Sequence, residues 1–66
     1  MFINQIGEAA GLIWRALDSQ GPLKLPALKK KLKVNDTMLH MAVGWLARED
    51  KIEVEPRGRS YVIQLK

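Results

Sequence analysis

The chain has 66 residues and no cysteine, so it has room for one hydrophobic core and offers no disulfide or thiolate metal site. Hydrophobic residues make up 47% and charged residues 27%, a balance typical of an ordered globular domain. The net charge of +4 favours a polyanionic partner but is modest. No cationic leader precedes the first apolar residues, and no apolar run reaches membrane-spanning length. We therefore expect one cytoplasmic domain over residues 1–66, without a membrane partner.

The first predicted helix covers residues 4–19, with Asn4 as its N-cap. Apolar residues recur in it at helical spacing and predict one buried stripe: Ile3, Ile6, Ala9, Ala10, Ile13, Ala16 and Leu17. We expect Gly21 to end the helix with a positive φ and Pro22 to block its continuation.

Two glycines interrupt this helix, although each costs about 1 kcal/mol relative to alanine. Gly7 and Gly11 lie four residues apart, beside Trp14 at one edge of the apolar stripe. One interpretation is close packing of the helix on its own domain. The other is a groove for a partner helix, with Trp14 at its lip.

A short alternating stretch, residues 23–25, predicts a minimal strand that joins the later hairpin. The second helix is predicted over residues 26–33, with Pro26 at its first position. In this helix the leucines lie inward, whereas Lys29, Lys30 and Lys33 lie outward.

The third predicted helix begins after Asn35, whose side-chain oxygen can cap a first-turn N–H. Its apolar stripe consists of Leu39, Ala42, Val43 and Leu46, and the helix is expected to end near residues 49–50. From Ile52 the period changes to two, which predicts a β-hairpin over residues 52–65.

A turn centred on Arg57 and Gly58 would pair Val54 with Tyr61, and Ile52 with Ile63. That arrangement places these four residues and Leu65 on one face of the hairpin. Pro56 cannot donate to a strand ladder, so we expect it beside the turn.

The order of cap, helix, L-A-R-E-D-K-I and hairpin resembles the winged helix-turn-helix superfamily. The match is closer still to a small bacterial and archaeal family of this fold, largely uncharacterised, with the signature G-W-L-A-R-E-D-K-I, here Gly44–Ile52. The resemblance implies an α+β domain of order α-β-α-α-β-β: three helices with a C-terminal β-hairpin wing. It also implies a glycine at the turn into the third helix, where this chain has Lys33.

Catalysis is not indicated, because His40 is the one histidine and no nucleophile, base and acid form a recognisable set. One histidine with scattered carboxylates does not make a metal site either. Gly7 and Gly11 lack the following lysine and hydroxyl residue of a phosphate loop. We expect no enzyme activity, no metal, no cofactor and no small-molecule ligand.

Double-stranded DNA is the partner that the resemblance implies. Phosphate contacts are expected from the second helix and the wing, by Lys29, Lys30, Lys33, Arg57 and Arg59. The alternative for these cations is a solvated face that keeps the domain soluble. The recognition-helix face consists of Thr37, His40, Met41, Gly44, Trp45 and Arg48, and it begins beside Asp36. This face has few of the forked side chains that read base edges, so it predicts weak sequence selectivity.

Met38, Met41 and Trp45 form a second apolar strip on the third helix. In one interpretation Met38 and Trp45 pack against the first helix or the wing, and only Met41 is exposed. In the other, the strip is a protein interface. Direct contact of Met41 or Trp45 with bases is the least favoured interpretation, because base edges demand hydrogen-bonding groups. The candidate dimer interface is Met38, Met41, Trp45, Gly7, Gly11 and Trp14. A homodimer would also help so small a domain, which buries only about 60% of its unfolded surface. Two hypotheses therefore stand: a transcription-regulator-like DNA-binding module, or an interaction module that does not bind DNA.

Overall fold

The computed structural model describes residues 3–66, with side chains from Asn4 onward. Its elements are α1 (Ile3–Gln20), β1 (Leu23–Lys24), α2 (Leu25–Leu32), α3 (Asp36–Arg48), β2 (Ile52–Arg57) and β3 (Ser60–Leu65). The predicted α-β-α-α-β-β order is therefore confirmed. The predicted cap is wrong, since Asn4 lies inside α1, and Leu25 rather than Pro26 begins α2. The prediction for the Ile3 side chain lies outside the described residues.

One core joins all three helices to the sheet. Its fully buried centre is made of Ile13 from α1, Leu28 from α2, Leu39 from α3 and Ile63 from β3. Burial of an isoleucine or leucine contributes about 1.5–3 kcal/mol. The core also contains Ala9, Ala10, Ala16, Leu17, Ala42, Leu46 and Ile52. The predicted inward stripes of α1 and α3 are thus confirmed in outline.

The turn from α2 to α3 is tight because Lys33 adopts the left-handed conformation, with φ 56° and ψ 36°. Its backbone N–H donates to the Lys29 carbonyl at 2.9 Å, which ends the helix. A residue with a Cβ pays about 1–2 kcal/mol for this conformation. Asn35 then caps α3 as predicted, since its Oδ1 accepts the Met38 N–H at 2.8 Å.

The end of α3 is a Schellman motif that the sequence did not predict. Asp50 has φ 61°, its N–H donates to the Ala47 carbonyl at 3.1 Å, and the Lys51 N–H donates to the Leu46 carbonyl at 3.0 Å. The Asp50 carboxylate also pairs with the Lys66 ammonium at the end of β3. These contacts fix the direction in which β2 leaves the helix.

The sheet is antiparallel with strand order β1-β3-β2, so the predicted third strand is confirmed. Leu23 lies opposite Ile63. The hairpin register was predicted wrongly: Ile52 lies opposite Leu65, and Val54 opposite Ile63. The turn is formed by Gly58 and Arg59, not by Arg57 and Gly58, since Gly58 takes the positive φ of 62° that the first central residue of a type II′ turn needs.

This shift of two residues keeps every side chain on its predicted face, because side chains alternate with a period of two. The hairpin, however, extends past the core. Ile52 and Ile63 are buried, whereas Val54 is 40% and Tyr61 is 47% exposed. The half of the hairpin nearest the turn therefore forms a projecting wing with an apolar inner face.

Candidate nucleic-acid interface

The predicted recognition face of α3 lies on the surface. All six residues assigned to it are exposed: Thr37, His40, Met41, Gly44, Trp45 and Arg48. It carries a single arginine, at the last position of the helix, and a carboxylate at the first. Bidentate contacts to bases need arginine, lysine, asparagine or glutamine, so the middle of this face presents little hydrogen-bonding chemistry for readout.

An ion pair joins α2 to the start of α3. The Lys29 ammonium lies 2.8 Å from the Asp36 carboxylate, and both side chains are exposed. The hydrogen bond from Lys29, together with its charge, lowers the pKa of Asp36. Lys29 is therefore already paired with a carboxylate and would have to exchange it for a phosphate.

The other predicted phosphate-binding residues are exposed as well. Lys30 and Lys33 lie along and just beyond the last turn of α2. At the wing, the Arg57 Nε lies 3.4 Å from a Glu55 carboxylate oxygen. Arg59 lies in the turn itself. Exposed ion pairs of this kind contribute about 0–1 kcal/mol, so they exchange readily for other anions.

His40 of α3, together with Leu25 of α2, lies where α2, α3 and the wing converge. It lines a crevice between α2 and α3 together with Leu25, Pro26, Lys29, Asp36 and Leu39. It also lines a groove of about 200 Å³ between α3 and the wing, together with Leu25, Val43, Val54, Tyr61 and Ile63. Sequence reasoning missed Tyr61 and Val54 as surface residues, because their alternating pattern is the same as that of buried strand residues.

A second groove, of about 310 Å³, runs between α1 and α3 on another side of the domain. It is lined by Gly7, Ala10, Gly11, Trp14, Arg15, Trp45, Leu46, Glu49 and Lys51. Apart from its chain neighbours and the backbone of its own helical turns, a Cβ added to Gly7 or Gly11 would meet no described atom within 4 Å. Among the described residues, these glycines are therefore not closely packed on their own domain, contrary to the first interpretation. Trp14 is 40% and Trp45 is 36% exposed in this groove.

The three residues of the apolar strip of α3 differ in how far they are buried. Met38 is half-buried and packs against the core. Met41 is 40% exposed. Trp45 lies beside α1, as the packing interpretation expected, but it is 36% exposed, so Met41 is not the only exposed residue of the strip. The candidate dimer residues are thus not one patch: Met38 belongs mainly to the core, Met41 lies on the recognition face, and the remaining four residues line the α1–α3 groove.

Within residues 3–66, no three or more histidine or carboxylate side chains come together in a way that could hold a metal ion. No helix in this range has the length and apolar character needed to cross a membrane.

Three helices and a three-stranded antiparallel sheet ending in a hairpin wing define a winged helix-turn-helix domain. Residues 1–65 match the family described as "Winged helix-turn-helix domain (DUF2582)", and the chain belongs to this family. It is 43% identical over 66 residues to "Uncharacterized protein MJ1608" of Methanocaldococcus jannaschii, covering 96% of this chain and 93% of that protein. It is also similar to the solution NMR structure of protein BT2368 from Bacteroides thetaiotaomicron, with a TM-score of 0.85 and 32% identity, over 98% of this chain and 79% of that one.

Proposed function

We propose that this domain is a non-catalytic, cytoplasmic module that binds double-stranded DNA with weak sequence selectivity, in the manner of a transcription regulator. The observation that carries the proposal is the exposure of cations on both flanks of α3: Lys29, Lys30 and Lys33 on the side of α2, and Arg57 and Arg59 at the wing. Winged helix-turn-helix domains commonly bind DNA, so the family supports the proposal by analogy.

In this arrangement α3 faces the major groove and its neighbours contact the backbone. Lysine and arginine contacts to phosphates fix position and register but carry no sequence information. Each such contact releases a counterion, so the affinity falls as salt rises. The exposed surface of α3 has a methionine, a glycine and a tryptophan where sequence-specific DNA-binding proteins carry side chains that form bidentate hydrogen bonds to bases. Discrimination between base sequences is therefore expected to be small.

The test is binding of the wild-type chain to a random-sequence duplex, measured by fluorescence anisotropy across a range of salt concentrations. Replacing Arg57 and Arg59 together by alanine is expected to weaken binding and to reduce the salt slope by about 2. The matched control replaces Lys51 and Lys66 by alanine. That change removes two positive charges at the opposite end of the hairpin, where the Lys66 N–H donates to the Lys51 carbonyl at 3.1 Å. An absence of salt-sensitive binding by the wild type at low salt would refute the proposal.

A second candidate function is a protein-interaction or homodimerisation module in which the α3 face is the interface and DNA is not bound. The exposure of Met41 and Trp45 favours it, since methionine and tryptophan are enriched at protein interfaces. Trp45→Ala or Met41→Glu would then lower the association state in sedimentation velocity. A chain that sediments as a monomer at high concentration, unaffected by either change, would count against homodimerisation through α3.

A further inference from the structure

The outer side of α1 is an open surface with features that suit a second copy of the same chain. We infer that two copies self-associate through α1, with the two helices antiparallel about a two-fold axis at Gly11 and with Trp14 and Trp45 of each copy against the other's helix. The inference rests on the self-association part of the second candidate, but it places the interface on α1 and the α1–α3 groove instead of the exposed face of α3. It is independent of DNA binding.

The first observation is the apolar wall of the α1–α3 groove. Trp14 from α1 and Trp45 from α3 line one side of the glycine row and are both more than one-third exposed. On the other side of the same row lies Leu12, 43% exposed, in a second depression of about 390 Å³ shared with Glu8 and Arg15. Large apolar side chains thus lie on both sides of the low strip of helix surface formed by Gly7 and Gly11. A second helix that packs along this glycine strip would contact the apolar side chains on both sides of it.

The second observation is the loss of helix stability caused by the two glycines. Gly7 and Gly11 lie inside an 18-residue helix, where each is about 1 kcal/mol less favourable than alanine. Neither position is crowded by described residues, so the packing of residues 4–66 does not require glycine there. Small residues at a helix crossing allow the two backbones to approach closely, which gives these glycines a role between chains.

The third observation selects a second copy rather than an unrelated helix. Glu8 lies three residues before Gly11, Arg15 lies four residues after it, and both line the same depression. When two copies of α1 cross antiparallel at Gly11, Glu8 of each copy faces Arg15 of the other. The same surface on two copies therefore brings opposite charges together. A parallel crossing would instead place Glu8 against Glu8, which is unfavourable.

The size of α1 fits this role. Its 18 residues give a helix about 27 Å long, which spans most of the longest dimension of the domain, 34 Å. A two-fold interface uses the same patch on both subunits, so no further surface is consumed. Lys30, Lys33 and the wing lie on other elements and stay available in such a dimer.

The experiment is sedimentation velocity of the full chain from micromolar to millimolar concentration. The wild type is expected to form a dimer, and Gly11→Leu is expected to weaken it about tenfold or more, because a branched side chain keeps the helices apart. The matched control is Gly44→Leu, since Gly44 is also an exposed, uncrowded glycine inside a helix but lies between Met41 and Trp45 on α3. If Gly44→Leu weakens the dimer and Gly11→Leu does not, the α3 candidate stands and the α1 inference fails. A monomeric wild type overturns both.

A charge exchange tests the antiparallel geometry with changes confined to exposed positions. Glu8→Arg and Arg15→Glu are each expected to weaken the dimer about tenfold, and the double variant is expected to restore it to within about threefold of wild type. Circular dichroism verifies that all variants remain folded. If the double variant is as weak as the singles, the two-fold antiparallel crossing is wrong.

Discussion

The Lys29 ammonium and the Asp36 carboxylate lie 2.8 Å apart, and they join the two helices of the helix-turn-helix across its turn. This pair places a negative charge at the point where α3 would first approach a DNA backbone. The carboxylate also competes with phosphate for one of the five cations assigned to DNA contact. Asp36 is therefore expected to weaken the proposed binding to DNA.

Asp36→Asn is expected to tighten binding to a random duplex, because it releases Lys29 and removes a repulsive charge. The salt slope should increase by about 1 as Lys29 becomes available to a phosphate. Fluorescence anisotropy at several salt concentrations measures both. Asp18→Asn, a matched change at an exposed position near the end of α1, is expected to leave both values unchanged. Unchanged affinity in the Asp36 variant would mean that Lys29 does not contact DNA.

The same pair predicts a dependence of stability on acid. The hydrogen bond and charge of Lys29 lower the pKa of Asp36 below its ordinary value of 3.8. A carboxyl group with a lowered folded-state pKa stabilises the fold above the unfolded-state pKa, and this contribution is lost as pH falls through the folded-state value. Thermal unfolding of wild type and Asp36→Asn should therefore differ near neutral pH and converge in strong acid. The difference is expected to be small, since both side chains are exposed. Lys29→Met should return the Asp36 pKa toward its ordinary value in an NMR titration.

Substitutions at Lys33 can distinguish the effect of backbone strain on stability from the effect of charge on DNA binding. Lys33→Gly is expected to stabilise the domain by about 1 kcal/mol, because glycine adopts φ 56° without steric cost. For a chain of this size such a gain raises Tm by about 4–8 °C. The same variant should bind DNA more weakly, since a phosphate contact is lost. Lys33→Ala is the control: it removes the charge without relieving the strain, so its DNA affinity should match that of the glycine variant while its Tm does not rise.

Ile63 and Val54 share one face of the hairpin, yet they are expected to differ in energetic weight. Ile63 lies on the central strand and its side chain is fully buried in the core, so Ile63→Ala should cost about 2–5 kcal/mol in urea unfolding. Val54 is 40% exposed beyond the core, and Val54→Ala should cost less than about 1 kcal/mol. Equal losses would mean that the wing is packed as tightly as the base of the hairpin.

The sequence predicted the order of the elements and two of their ends, where a single residue type decides the local structure. Asn35 caps α3, Gly21 has the expected positive φ of 80°, and the order of elements is as predicted. The hairpin register was missed because a shift of two residues preserves the alternation of faces. Only the turn distinguishes the two registers, and there the placement of Gly58 as the first central residue decides.

The surface sites were harder to predict, because periodicity reports which side chains share a face but not what covers that face. The pattern could not show that Gly7 and Gly11 face open space, or that Tyr61 projects past the core. The end of α3 near residues 49–50 was predicted correctly, but its left-handed capping conformation was not. Asp50 takes the left-handed position that glycine usually fills, and its short side chain tolerates it.

The strand order leaves the two outer strands poorly suited to recruit further strands. β1 is only two residues long, and β2 contains Pro56, which has no N–H to donate along its free edge. Glu53 and Glu55 add negative charge along the same strand, where stacked copies would repel one another. The hairpin is thereby protected against edge-to-edge growth into fibrils, although part of its inner face is apolar and uncovered.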